Sequence, residues 1–303
     1  MEGYKKIIRS QKARLKFLRM FDFLSDAQMI RLQYRIKTGR FPNLKNPRRY
    51  TEKLLWYKLH YKDEKMIPCV DKYDVRAYVE AKGLADILNT CYDVYDRAAD
   101  IDFDALPERF VLKDTLAGGG NFVRLVANKS ETDLDALRRT AAEWLSLPSK
   151  TKNGGRAWQY YSGKPSRILI EQYLTDAGAD DLTDYKFLCF RGRVHYIIVD
   201  KDRFTDHKRN FYDTNWNFYP VDTDHHCSPK TIEKPENLSA MIRVAEILSA
   251  DFPAVRVDLY NVCGKIYFGE LTFYPWDGYV RFNPDTFDYT LGNLFDLNEV
   301  GLS

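Results

Sequence analysis

The stretch that most constrains this chain runs from Val255 to Phe273, where apolar and polar residues alternate through two segments joined by a turn. The alternation puts Val255, Val257 and Leu259 on one face of a strand and Arg256, Asp258 and Tyr260 on the other. A cation and an anion therefore project together from an otherwise apolar ladder. Asn261-Val262-Cys263-Gly264 reads as the turn, and the return strand carries Glu270 and Thr272 on one face, in register to meet Asp258. Two carboxylates and a hydroxyl on adjacent strands make a hard-oxygen set of the kind Mg²⁺ takes, because that ion keeps several waters and needs one or two protein carboxylates. A hairpin whose polar face is merely solvated would show the same pattern.

At 303 residues the chain exceeds one average domain and suggests two or three lobes. Its 45% hydrophobic and 15% aromatic content is enough to bury a large core, which excludes global disorder. No apolar run approaches the roughly 20 residues that span a bilayer, and the first residues, Met1 to Lys6, lead into no signal-peptide apolar segment. A cytoplasmic globular protein is expected. Cys69, Cys91, Cys189, Cys227 and Cys263 are odd in number, scattered and without C-x-x-C spacing, which argues against a disulfide framework and a structural zinc site. Net charge is only +3, but residues 1–62 hold 17 Lys and Arg against 4 Asp and Glu, while the rest hold 29 against 39. Such a basic arm suits a polyanion, an acidic substrate or peripheral contact with an anionic membrane surface, and a solvated basic helix face would look alike.

Residues 4–23 read as an amphipathic basic helix. A second helix is predicted from a capping box at Ser25 and Gln28 to Gly39, a third opening at Thr51, and a fourth capped by Asp71 and ended by Gly83. The pattern changes at Ile87, with a strand over 87–95. Phe110-Val111-Leu112-Lys113 then runs as a strand into Gly118-Gly119-Gly120-Asn121, and a second strand follows over 122–126. Thr132 is predicted to cap a helix to Leu147, Arg167 to Leu174 forms an apolar run, and Asp184 to Val199 makes a hairpin turning at Arg191-Gly192. Residues 201–235 read as loop, and a helix is expected over 236–250.

The glycine loop lacks the G-K-[ST] of a P-loop and opens no helix as a dinucleotide fingerprint must. A glycine-rich hairpin still lets backbone amides approach phosphate oxygens, with Lys113 beside it to supply charge. Lys186 alternates with Asp184 on its strand, and Lys201 and Arg203 follow the next one. Lys113, the glycine loop, Glu171, Lys186, Asp258 and Glu270 come in the order expected of two lobes that hold a nucleotide between sheets. His207, His225, His226 and Cys227 raise a soft-metal reading without regular ligand spacing. Asp222-Thr223-Asp224 could be the metal-binding D-x-D of a sugar-nucleotide transferase. No G-x-S-x-G or catalytic Cys–His pattern is present.

Six phrases in order carry a resemblance: Asp71 to Arg76, Phe110 to Lys113, Gly118 to Asn121, Ile170 to Tyr173, Asp184 to Phe187 and Gly269 to Phe273. Together they resemble the ATP-grasp fold, in its teichuronopeptide-biosynthesis (TupA-like) branch of bacterial surface-polysaccharide clusters. The resemblance implies an α+β fold of two lobes sandwiching a nucleotide: a basic helical arm over 1–62, a helix–strand region over 63–107, a small lobe with the glycine loop over 108–174, and a large lobe with the metal and acceptor site over 175–303. It implies ATP and one or two Mg²⁺ as cofactors. Lys113 would touch the phosphates, Gly118, Gly119, Gly120 and Asn121 would cover them, Glu171, Gln172, Tyr173 and Leu174 would line the adenine, and Lys186 would reach the phosphate tail. Asp258 and Glu270 would hold metal, and Arg256 would stabilise the transferring phosphoryl group. The fold's metal motif ordinarily ends Glu-x-Asn, and here Thr272 stands in third place, a weaker ligand. The implied reaction is carboxylate–amine ligation through an acylphosphate. Its partners would be an acidic saccharide or polysaccharide precursor and an amino acid or amino sugar, with no nucleic acid expected. A sugar phosphotransferase and, using Asp222 to Asp224, a glycosyltransferase are the alternatives.

Overall fold

The hydroxyl of Ser25 accepts the Gln28 N–H at 3.3 Å while the Gln28 side chain accepts the Ser25 N–H at 2.9 Å. This reciprocal cap starts helix α1 (Asp26–Thr38), and Gly39, in the left-handed region at φ +78°, ends it as expected. The structure is a computed structural model and describes residues 21, 23–118, 120–153, 155–161, 163–175, 182–202, 206–228, 230–298 and 300. The basic helix expected over 4–23 lies outside the described residues apart from Phe21 and Phe23, as do Gly119, Gly154 and Arg203.

After α1 the chain forms α2 (Tyr50–His60), α3 (Met66–Val70), α4 (Val75–Ala81), β1 (Cys91–Tyr95), β2 (Phe110–Asp114), β3 (Val123–Val126), α5 (Leu134–Ser146), α6 (Ser149–Lys152) and β4 (Ile168–Gln172). It continues with β5 (Asp184–Phe190), β6 (Arg193–Lys201), β7 (Lys208–Asp213), β8 (Phe218–Tyr219), α7 (Leu238–Ser249), β9 (Ala254–Val262), β10 (Lys265–Thr272) and α8 (Thr286–Leu294). Several sequence expectations are corrected. The strand over 87–95 begins only at Cys91, because Ala85–Ile87 closes a tight helical turn. Asp133, not Thr132, caps α5 by accepting the Ala136 N–H at 2.8 Å, while the Thr132 hydroxyl donates back to Asn128 O at 2.6 Å. Thr51 lies inside α2 rather than opening it. Asp71 sits one turn ahead of α4 and accepts the N–H groups of Tyr73 and Asp74 at 2.9 and 3.0 Å. The stretch 201–235, read as loop, contains β7 and β8. In β7 the buried residues include Arg209 and Asn210, whose polar partners lie elsewhere in the chain, so no apolar alternation betrays the strand.

The described residues fall into two units, one formed from 63–153 and 158–182, the other from residues up to 62, 154–157 and 183 onward. The first has an antiparallel sheet in the order β1-β4-β2-β3. Phe110 and Leu112 of β2 and Ile168 and Ile170 of β4 pack into one core with Leu137, Ala141 and Trp144 of α5. Burial of such side chains contributes roughly 1.5–3 kcal/mol each and holds α5 on the sheet. Alternation turns Lys113 and Glu171 to the other face.

The second unit has a six-stranded antiparallel sheet in the order β10-β9-β5-β6-β7-β8. Helix α7 covers one face of β5, β6 and β9 with Leu238, Met241, Val244, Ala245 and Leu248. The other face carries Asp184, Lys186, Leu188 and Phe190 of β5 opposite Tyr260, Asp258, Arg256 and Ala254 of β9. One part of that face is closed by rings: Tyr50 of α2 meets Phe190 edge-on at 5.6 Å, and Phe287 of α8 meets Tyr196 and Phe211 at 5.0 and 5.4 Å. The charged residues occupy another part.

Helix α2 has no side-chain cap of its own at Arg49. Its first amides are satisfied from within and from α8: Glu52 accepts the N–H groups of Arg48 and Arg49, and Asp288 accepts the Thr51 N–H at 3.0 Å and the Thr51 hydroxyl at 2.8 Å. Burial pushes the Asp288 carboxyl up to about 6, with the Thr51 hydrogen bonds opposing. Because the folded state binds this proton more tightly than the unfolded chain, the stability tied to it is present below the ordinary carboxyl range, near pH 4, and is lost as pH rises through about 6. Asp288→Asn, which keeps an acceptor for the Thr51 N–H, should flatten that part of the profile. Urea unfolding at pH 4 and pH 7 should show the wild type losing about 2 kcal/mol relative to the variant. Identical pH profiles would assign the buried proton elsewhere.

Candidate active site

The hairpin of β9 and β10 turns at Cys263 and Gly264, both at positive φ (48° and 81°), a tighter reversal than the four residues read from the sequence. Glu270 pairs with Asp258 across it, as expected, while Thr272 pairs with Arg256. The Arg256 guanidinium gathers the cluster. Its Nε and Nη2 donate to the two Asp258 oxygens at 2.7 Å each, and Nη2 also lies 3.3 Å from Glu270 Oε1 and 3.1 Å from Thr272 Oγ1. From β5, Lys186 donates to Asp184 and, at 3.0 Å, to Asp258, with Asp200 of β6 at 3.9 Å.

Burial pushes the Asp258 carboxyl upward, opposed by Arg256 and Lys186 and reinforced by Glu270 and Asp184. Burial works against the Arg256 charge too, but Asp258 and Glu270 outweigh it and raise its pKa, so it stays a cation. Asp184 and Asp200 belong to this cluster, although sequence reading gave them no role. Asp184 was visible beside Lys186, whereas Asp200 enters only through the β5–β6 register.

The donor chemistry fits Mg²⁺. Two carboxylates and a hydroxyl already stand within 3.3 Å of one cationic nitrogen, and hard oxygens with one or two carboxylates are what that ion takes. Among the described residues no group of three or more His, Cys, Asp or Glu side chains is arranged to hold a metal ion, the set His207, His225, His226 and Cys227 included. The carboxylates of Asp222-Thr223-Asp224 have other partners within the chain. Asp222 accepts the Cys227 N–H at 2.8 Å, and Asp224 accepts Arg209 Nη1 at 2.5 Å and the Trp276 indole N–H at 3.1 Å.

In the other unit, the Lys113 ammonium donates to Glu171 Oε2 at 2.6 Å from neighbouring strands β2 and β4. The segment before the glycine loop is buried and clamped: Lys152 and Asp114 form a buried ion pair at 2.5 Å, Asp114 accepts the Leu116 N–H at 3.0 Å, and Asn153 donates to Leu116 O at 2.8 Å. Lys72 holds Ala117 O at 2.5 Å. Beyond this stem, Gly118 is half-buried and Gly120 and Asn121 are exposed, with Gly120 at φ +74° and room around it. Strand β4 ends at Gln172, whose carbonyl accepts the Asn89 amide at 2.9 Å. Tyr173 follows with the Arg109 guanidinium 4.4 Å over its ring, and Leu174 is half-buried. Lys201 lies exposed at the end of β6.

A family model described as "TupA-like ATPgrasp" matches residues 52–296. No curated protein matches the chain. Among solved structures, the D-alanine–D-alanine ligase of Bacillus anthracis aligns at 21% identity over 68% of this chain and 57% of that one, with a TM-score of 0.42. The D-alanine–D-alanine ligase of Helicobacter pylori aligns at 15% identity over 81% and 69%, TM-score 0.46. The N5-carboxyaminoimidazole synthetase of Staphylococcus aureus, complexed with ADP, aligns at 15% identity over 73% and 49%, TM-score 0.43. The chain thus spans little more than half the length of the Bacillus anthracis enzyme. With the family model covering most of its length, this chain belongs to the TupA-like ATP-grasp family.

Proposed function

We propose that the protein is an ADP-forming carboxylate–amine ligase acting on an acidic, uronate-type component of a bacterial surface polysaccharide or its precursor. The observation that carries this reading is the constellation of Arg256, Asp258, Glu270 and Thr272 beside Lys186 on one sheet face. Asp258, Glu270 and Thr272 would hold Mg²⁺, which when bound neutralises phosphate charge. Lys113, Lys186 and the glycine loop would bind the phosphate chain, with Glu171, Gln172, Tyr173 and Leu174 at the base. The acceptor carboxylate takes the γ-phosphoryl group, and an amine displaces phosphate from the acylphosphate. Arg256 stays charged and would stabilise the oxyanions formed in both steps. Family membership and the basic excess of residues 1–62 support an anionic acceptor or an anionic membrane surface nearby.

The test uses the full chain with MgATP, a panel of glucuronate, galacturonate and their oligomers, and hydroxylamine as nucleophile. ADP, phosphate and hydroxamate should appear in matching amounts, and the acceptor KM should rise with ionic strength. Label from the γ-phosphate retained on the sugar would instead identify a phosphotransferase.

A further inference from the structure

A second charged row runs beside Lys186 and has no part in the function proposed above. Asp184 of β5, Asp200 of β6 and Arg209 of β7 are successive register partners. Asp200 is buried and receives Arg209 through two nitrogens at 2.7 and 3.0 Å, and Arg209 continues to Asp224 and over the Trp276 ring at 5.4 Å. Two imidazoles close the row. His207 Nε2 lies 3.2 Å from Asp200 Oδ1, His225 Nε2 lies 3.7 Å from Asp224 Oδ2, and the ring centroids are 3.6 Å apart. The His207 Nε2 is buried, whereas the His225 side chain is 34% exposed, so the pair is tied to carboxylates and reaches solvent through His225. Contacts of His207 to Asp200, Asp200 to Lys186 and Lys186 to Asp258, none longer than 3.9 Å, join it to the carboxylates of the hairpin.

Amide formation needs a proton acceptor that the rest of this cluster lacks. An amine is a cation at neutral pH, only its unprotonated nitrogen attacks, and the adduct must shed a proton as phosphate leaves. Lys186, Arg209 and Arg256 are donors, Asp184, Asp200 and Asp258 are engaged with them, and Glu270, 3.3 Å from Arg256, is assigned above to the metal. Around the imidazoles stand Asp200 on β6, Arg209 on β7, Asp224 after β8 and, behind Asp200, Lys186 on β5. Burial pushes His225 below the ordinary imidazole range, with Asp224 and Asp200 opposing and Arg209 and His207 adding to the effect, so the ring is neutral at pH 7.

The geometry points to the His207–His225 pair as the proton acceptor for the attacking amine in the ligation proposed above, on which this inference rests. The nitrogen lone pair forms the C–N bond at the acyl carbon. The C–O bond to the phosphoryl group breaks, and its electron pair leaves on phosphate. One proton of the ammonium is lost to free that lone pair and a second leaves the N–H of the adduct, each passing to an imidazole nitrogen and from there to solvent.

His207→Asn, His225→Asn and the double variant test this in the full chain with MgATP and the uronate that yields most hydroxamate, comparing glycine with hydroxylamine as nucleophile. Hydroxylamine is already unprotonated at neutral pH, so it skips the first deprotonation, and the weakly basic nitrogen of its adduct gives up the second proton readily to water. Ligation to glycine should fall about 100-fold or more in the double variant, and hydroxamate formation by less than about tenfold. The melting temperature and the KM for ATP should stay near those of the wild type. Equal losses with both nucleophiles, or a near-normal rate with glycine, would overturn the assignment. A wild-type enzyme that forms no hydroxamate with any uronate overturns the ligase reading and the base with it. Hydroxamate formation by the wild type keeps the ligase reading whatever the histidine variants do.

Discussion

Glu270→Gln should lower ATP-dependent turnover by about three orders of magnitude with the fold intact, and Asp258→Asn should match that loss while also costing stability. The difference follows from where the two carboxylates sit. Glu270 is 43% exposed, so removing its charge costs little in folding. Asp258 is 4% exposed and receives both Arg256 and Lys186. Without it two buried cations lose their shared counter-charge, which costs about 3 kcal/mol because Asp184 and Glu270 remain to compensate in part. ADP release, Mn²⁺ binding followed by electron paramagnetic resonance and urea unfolding separate the effects. Near-normal turnover or undiminished Mn²⁺ binding in a folded Glu270→Gln protein would sink the metal assignment.

Arg256→Ala should suppress hydroxamate formation by roughly three orders of magnitude, the scale of a cation that stabilises a transferring phosphoryl group. The loss should fall on kcat rather than on the KM for ATP, because the interaction strengthens only as charge develops. Arg256→Lys should recover little. A lysine cannot place two nitrogens on Asp258 while also reaching Glu270 and Thr272, as Arg256 does at 2.7–3.3 Å. A variant with raised KM and normal kcat would make Arg256 an ordinary binding residue.

Local signals were legible wherever one short segment satisfies itself. The capping box at Ser25 and Gln28 and the terminating Gly39 use atoms within one helix. The turn at Arg191-Gly192 was legible because two successive positive-φ residues match the twist of the strands they join. The strand, glycine loop and strand from Phe110 to Val126 were visible from apolar runs on each side of glycine. Elements completed by distant residues were not. Asp288 satisfies the start of α2 from 237 residues away, and β7 hides Arg209 against Asp200.

The cluster shows where sequence ends and tertiary structure begins. Because successive Cβ atoms alternate, sequence alone puts Arg256 with Asp258, Asp184 with Lys186 and Glu270 with Thr272, each pair on one face of its own strand. The expected meeting of Glu270 with Asp258 holds, but no local pattern in the sequence fixes that register. Counted from the Cys263-Gly264 turn, Asp258 would meet Gly269 and Glu270 would fall opposite Val257, on the face covered by α7. A bulge between Phe268 and Glu270 shifts the register and brings Glu270 to Asp258. Gly269 permits it, since a Cβ there would stand 2.9 Å from Asp258 O and 3.3 Å from the Tyr260 ring. The irregularity between Leu188 and Cys189 does the same for Asp200 opposite Asp184. Side-chain order within a strand follows from local stereochemistry, whereas these registers depend on hydrogen-bond ladders on both edges of β5 and β9, which exist only once the whole sheet has assembled.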